Sequence, residues 1–175
     1  MEKTALQMLR KDEFAPFYAN YLEHIPFLPL EELFIEHLDE QLETIRSIPH
    51  SKYTYSYAQG KWTIAQIIMH LIDAERVFAS RALWFARKDP TPLPGYDQDQ
   101  WMKALKADHL SPFELYGQFK TCRSNTITLF RGFRPEDLLQ KGSANGSRMS
   151  VRALGYIILG HHAHHFKGLE SNYLK

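Results

Sequence analysis

Cys122 is the lone cysteine among 175 residues, which excludes an internal disulfide and leads to the expectation of a reducing, cytoplasmic setting. No run of about 18 apolar residues is present, the length a membrane-spanning helix requires, so no membrane partner is expected. Charge of one sign is equally scarce: 21 Lys and Arg stand against 20 Asp and Glu. No Lys/Arg-rich block gives the electrostatic footprint of a nucleic-acid binder, so none is expected as a partner. The first dozen residues carry acidic side chains and no long apolar run, unlike a secretory leader. A Gly-rich phosphate loop, an internal repeat, a low-complexity tract, a Ser/His/Asp order and a convincing strand series are all lacking. What is there is an ordinary apolar (44%) and charged (23%) content with a high aromatic share (13%), enough for one domain with a substantial core.

Four amphipathic segments supply that core. Apolar residues recur at helical spacing over 30–48 (Phe34, Leu38, Leu42, Ile45), 63–87 (Ile64, Ile67, Leu71, Ala74, Phe78, Phe85), 111–132 (Leu115, Phe119, Cys122, Thr126, Phe130) and 150–172. Thr63 with Gln66, and Ser111 with Pro112 and Glu114, are capping boxes; Ser150 is a cap. Asn145-Gly146 predicts a tight turn, with a small hairpin near 141–149. Residues 1–29 read as an appendage carrying one short amphipathic helix (Phe14, Phe17, Tyr18, Tyr21), and 30–175 as an all-α four-helix bundle. All connectors exceed about 8 residues, so parallel neighbours are allowed. In the longest, 87–110, Asp97 is placed to cap a short helix through Trp101, and Asp97 and Asp99 are also within the vocabulary of metal or substrate contacts.

Gly160-His161-His162-Ala163-His164-His165-Phe166 holds four of the nine histidines. Val151, Leu154, Ile158, His161, His165 and Leu169 form one stripe, with His162 and His164 on its flanks. His161 and His165, one turn apart on the core face, stand roughly 6 Å apart along the axis, within reach of one metal ion. A third ligand must come from elsewhere. His70, at the edge of the 63–87 stripe, is the first candidate and Asp73 the competing one. His37 and Gln41 are explained as well by packing as by function. Glu75, Arg76 and Arg81 are expected in ion pairs, and Cys122, facing the core, is expected to be inert.

Several blocks together resemble the DinB/YfiT-like superfamily: Tyr57-Ala58-Gln59-Gly60-Lys61-Trp62-Thr63-Ile64, His70 through Phe78, Pro92-Leu93-Pro94-Gly95-Tyr96-Asp97, Ala144-Asn145-Gly146 leading into Ser150 through Leu154, and Gly160 through His165. The resemblance, near full length, implies a four-helix bundle of up-up-down-down order and a divalent metal, commonly zinc or nickel, held by three histidines that map to His70, His161 and His165. Iron and manganese are alternatives, since imidazole suits several metals. It does not imply one reaction, because its relatives include transferases and isomerases that use low-molecular-weight thiols. One departure bears on chemistry. Relatives often carry Glu directly after the first histidine of the last helix, where it can serve as a base; here that position is His162. With that carboxylate missing, the catalytic candidates are His162 and Asp73. The expected activity is metal-dependent transfer of a low-molecular-weight thiol to a small electrophile, since a metal deprotonates a bound thiol itself. A metal-dependent hydrolase and a non-enzymatic, stress-associated metal-binding module are the alternatives. A homodimer is a further expectation, with no apolar patch identifiable for it.

Overall fold

The structure is a computed structural model that describes residues 3–105 and 110–175. Residues 106–109, the last part of the 87–110 connector, and Met1 and Glu2 of the N-terminal stretch lie outside the described residues. The helices start where the capping signals place them. α1 (Ala5–Met8), a 3-10 turn (Pro16–Tyr18) and α2 (Ala19–Leu22) precede α3 (Leu30–Ser47). α4 (Ile64–Ala86) begins after Thr63, whose hydroxyl accepts the Gln66 N–H at 3.2 Å while Gln66 Oε1 accepts the Thr63 N–H at 2.9 Å. α5 (Gln98–Ala104) is capped by Asp97, which accepts the N–H groups of Asp99 and Gln100. α6 (Pro112–Arg131) opens on the Ser111–Glu114 box, the single turn α7 (Pro135–Leu138) follows, and Ser150 caps α8 (Val151–Asn172). Between α7 and α8, β1 (Lys141–Ala144) pairs antiparallel with β2 (Ser147–Ser150). Asn145 (φ 51°) and Gly146 (φ 71°) supply the two positive φ angles of a type I′ turn. No described helix is long and apolar enough to cross a membrane.

Directions of the four long helices follow from which ends meet. Glu31 at the start of α3 pairs with Arg131 at the end of α6, and Arg46 near the end of α3 donates to Tyr116 near the start of α6, so these two are antiparallel. α4 and α6 run together: their first halves (Ile64, Ile68 and Ile72; Leu115, Phe119 and Cys122) share one cluster of the core, and their second halves (Phe78, Ala82 and Phe85; Ile127 and Phe130) share the other. α8 runs with α3, as Tyr156 donates to Leu28 O at one end and Lys52 to Tyr173 O at the other. The order is therefore up-down-down-up, which corrects the up-up-down-down expectation. The physical reason lies in the connectors. The 48–63 segment and the hairpin each turn the chain at one end of the bundle, while only the long 87–111 connector must return along its length.

The core has two halves. Phe34, Ala74, Phe78, Phe85, Phe130, Leu154 and Ile158 fill one, and Leu42, Ile45, Ile64, Ile68, Leu115, Phe119, Phe166 and Leu169 fill the other. Between them lies a buried polar belt of Gln41, His70, Glu75, Arg123, His161 and His162. The N-terminal stretch differs from the single expected helix. Pro16 opens a 3-10 turn, and the segment bends so that the Tyr21 backbone lies against α8 at Gly160, where any Cβ would collide with it. Glu13, fully buried, accepts hydrogen bonds from Ser150 Oγ at 2.9 Å and from Arg152 Nε and Nη2 at 2.7 Å each.

Candidate metal centre

Because α4 and α8 run antiparallel and in close contact, His70 meets the two histidines that share a face of α8. His70 Nε2 lies 3.0 Å from His161 Nε2, and the His165 ring centroid is 4.9 Å from that of His70 and 4.7 Å from that of His161. One ligand nitrogen from each ring falls within 4.8 Å of the others. His70 and His161 are buried and His165 half-buried. Burial pushes the His70 pKa down to about 4, against a small opposing pull from Asp99. Burial, then the charges of His70 and His164, push His165 down to about 3. Burial, then His165 and His70, hold His161 well below its usual range.

These properties fit a divalent ion. Ligation needs the neutral ring with a free lone pair, and all three rings are held neutral. A tetrahedral ion at ~2.1 Å from each nitrogen spaces the nitrogens by roughly 3.4 Å, inside the spread the three rings present. His161 Nδ1 is sealed without a hydrogen-bond partner among the described residues, an arrangement that leaves the ring incompletely satisfied by protein alone. No carboxylate among the described residues belongs to the group, so with these three ligands the ion's full positive charge would be left to attract an anionic ligand.

The three histidines line a cavity of ≈ 410 Å³ whose other walls include Tyr18, Tyr21, Trp62, Phe78 and Tyr96. Trp62 lies 4.8 Å from His70 and Tyr21 5.4 Å from His161, centroid to centroid. No Asp or Glu lines this cavity among the described residues. An adjoining cavity of ≈ 360 Å³ shares Trp62, His164 and His165 with it and includes Asp99. A larger cavity of ≈ 640 Å³ between α4 and α6 is lined by none of the histidines; beside Cys122 its wall carries Arg76, Glu114, Gln118 and Asn125. Its thiol is poorly reactive: Cys122 is pushed up to about 12 by burial.

His162 and Asp73 lie elsewhere. Sequence spacing puts His162 on a flank of α8, yet it is 1% exposed. The reason is that this flank of α8 is turned to the bundle interior, where side chains from α3, α4 and α6 meet it. There Arg123 Nη2 donates to His162 Nδ1 at 2.9 Å, and Arg123 binds both oxygens of Glu75 at 2.9 and 3.1 Å. His162 Nε2 is 3.2 Å from Glu75 Oε2 but not aligned for a hydrogen bond. Gln41 completes the cluster, 3.4 Å from His162 Nδ1. Asp73, half-buried, pairs with Arg76 at 3.3 Å and faces a separate cavity of ≈ 380 Å³. His37 is half-buried, its pKa lowered by burial and by Arg123. Asp97 caps α5, and His164 is exposed at the rim of the histidine cavity. Of the three expected ion-pairing residues, Glu75 and Arg76 find partners, but Arg81 binds the Pro94 carbonyl instead. The aromatic walls escaped the sequence reading, although Trp62 and Tyr96 fall inside the quoted motif blocks.

Comparison with known proteins gives concordant results. The family model described as DinB superfamily matches residues 33–167. A protein of Oceanobacillus iheyensis named "putative metal-dependent hydrolase" is 32% identical over 73 residues, a match that covers 41% of this chain and 40% of that protein's length. A second protein of that organism with the same description is 27% identical over 158 residues, covering 88% of this chain and 83% of its own. Among solved structures, YfiT from Bacillus subtilis, described as a "probable metal-dependent hydrolase with an unusual four-helix bundle topology", superposes with a TM-score of 0.67 at 16% identity, over 87% of each chain. A mycothiol-dependent maleylpyruvate isomerase superposes with a TM-score of 0.62 at 16% identity, over 78% of this chain and 60% of that one. At these identities the two superpositions show the fold.

Proposed function

The chain belongs to the DinB superfamily, and on that footing we propose that it is a metal-dependent enzyme. In this reading His70, His161 and His165 hold one divalent ion, zinc or nickel, and the reaction transfers an external low-molecular-weight thiol to an electrophilic small molecule. The observation that carries it is the meeting of three neutral imidazoles at a cavity that no carboxylate of the described residues lines, while the residue after His161 is locked against Arg123 and Glu75. When bound, the ion supplies a Lewis acid that lowers the pKa of a thiol or water ligand. The protein's own part is to position and exclude. Trp62, Tyr21 and Phe78 shield the histidines and offer apolar surface to the electrophile. Cys122 takes no part, since it is buried against Ile72 O. His164, at the rim, is placed to hold a proton on its way to solvent.

A second reading, metal-water hydrolysis, has two supports. The names of the relatives point to it, and Asp99 with His164 in the adjoining cavity provides groups that could take a proton from water. One experiment separates the two: metal-loaded protein is given a panel of cellular thiols with a generic electrophile, beside esters and amides without thiol. Turnover that needs both metal and thiol, and that disappears in His161→Ala, is the expected result. Metal-dependent turnover confined to the thiol-free wells would overturn the thiol reading.

A further inference from the structure

Arg81 is the one charged residue on the histidine cavity's wall among the described residues, and it is 4% exposed. No Asp or Glu of the described residues lies within ion-pair distance of it. One nitrogen, Nη2, donates to the Pro94 carbonyl at 2.9 Å, the guanidinium also interacts with the neutral Tyr18 hydroxyl, and its carbon sits 5.7 Å from the centroid of the Phe78 ring, so no partner of Arg81 among the described residues carries negative charge. The two acids on the same helix are both engaged elsewhere: Glu75 is bound by Arg123, and Asp73 is paired with Arg76 and faces the neighbouring cavity that Arg81 also borders. Buried arginines are ordinarily matched by a carboxylate, as Arg123 is by Glu75 in this same bundle. A cation left unmatched at the wall of a reaction cavity calls for an anion brought from outside, and the planar fork of a guanidinium suits a carboxylate best.

Position along α4 sets the size of that anion. Eleven residues separate His70 from Arg81, a rise of roughly 16 Å on nearly the same face of the helix. The long Arg81 side chain leans back toward the helix start and shortens this gap. Between the two ends the walls are aromatic: Tyr18, Tyr21, Phe78 and Tyr96. Tyr96 and Tyr18 remain neutral phenols, since burial pushes Tyr96 up to about 12 and raises Tyr18, so both can donate to an anion beside Arg81.

We propose that the electrophilic substrate is a carboxylate with an apolar or aromatic body, whose carboxylate is bound by Arg81 while its far end reaches the His70/His161/His165 centre. This rests on the reading of the cavity as the reaction site. The test uses the full chain stripped of metal, with 3-phenylpropanoate and its neutral amide as probes in titration calorimetry, and with metal equivalents measured separately on the loaded protein. The acid should bind more tightly than the amide, by on the order of tenfold to a hundredfold, the worth of a charge-assisted hydrogen bond. Arg81→Gln should erase the preference and Arg81→Lys keep part of it. Equal binding of acid and amide by the unsubstituted chain overturns the inference without any variant having to fold. So does a preference that persists in Arg81→Gln, or one that appears only with metal and is lost in His165→Ala, since the ion would then hold the carboxylate. Discrimination through Arg81 in a chain that never binds metal would sink the metal reading and leave this one standing; one metal equivalent without discrimination would do the reverse.

Discussion

Replacing Glu13 by Gln should destabilise the protein through the loss of a buried charge. Glu13 is fully buried. Burial alone would raise its pKa, but the Arg152 guanidinium, the Arg10 amide and the Ser150 hydroxyl outweigh that and hold it down to about 2, against a usual 4.5. A carboxyl so depressed contributes on the order of 3 kcal/mol to the folded state at neutral pH. The sign follows from proton counting. Below a pH of about 4.5 the unfolded chain takes up the proton first, so the contribution is whole above that value and fades as pH falls toward about 2. By about pH 3 it should have shrunk to roughly 1.5 kcal/mol. Glu13→Gln keeps the shape and removes the charge, leaving Arg152 to face a neutral amide. Urea denaturation of both proteins should show a gap of about 3 kcal/mol at pH 7 that falls to roughly half by about pH 3. A gap that stays constant between the two conditions would refute the argument, because loss of packing alone does not titrate.

Glu75→Gln should cost about 3–5 kcal/mol in the same assay, since it strips the anion from an Arg123 that has no exposure at all; replacing Glu75 and Arg123 together by apolar residues should recover much of it. A loss below 1 kcal/mol for the single change would mean the pair is not sealed from water. Gly160→Ala places a methyl group into the Tyr21 backbone and should destabilise by about 1–3 kcal/mol while metal content stays at one equivalent. Metal lost together with stability would show that the N-terminal segment holds the ligands themselves in place.

Much of this fold is local and therefore legible. Thr63 with Gln66, Ser111 with Glu114 and Asn145-Gly146 act through hydrogen bonds or φ angles within a few residues, so the sequence carries them complete. The pairing of His161 with His165 is legible for the same reason, being one helical turn. What is not local is not legible in the same way. His162 falls off the apolar stripe only if α8 has a single inward face; yet Ala153 through His162 are all buried, and the unbroken apolar run over 157–159 is the signal of a helix covered on every side. Helix direction depends on how the 87–111 connector is routed, which no residue within a helix encodes. Glu13, Arg81 and Arg123 are charged residues whose burial rests on partners or cavities distant in sequence, and no spacing rule finds them.

The close seat of the Tyr21 backbone on Gly160 joins two parts of the chain that can change independently. His70, His161 and His165 stand on the long helices, whereas Tyr18 and Tyr21, which face them across the cavity, belong to a stretch that precedes the bundle. Substitutions or exchanges within that stretch can alter the shape and polarity presented to an incoming molecule without moving any of the three imidazoles. A library confined to residues 15–22, with Gly160 left intact so the new segment can still dock, would vary the cavity wall around a fixed set of three histidines.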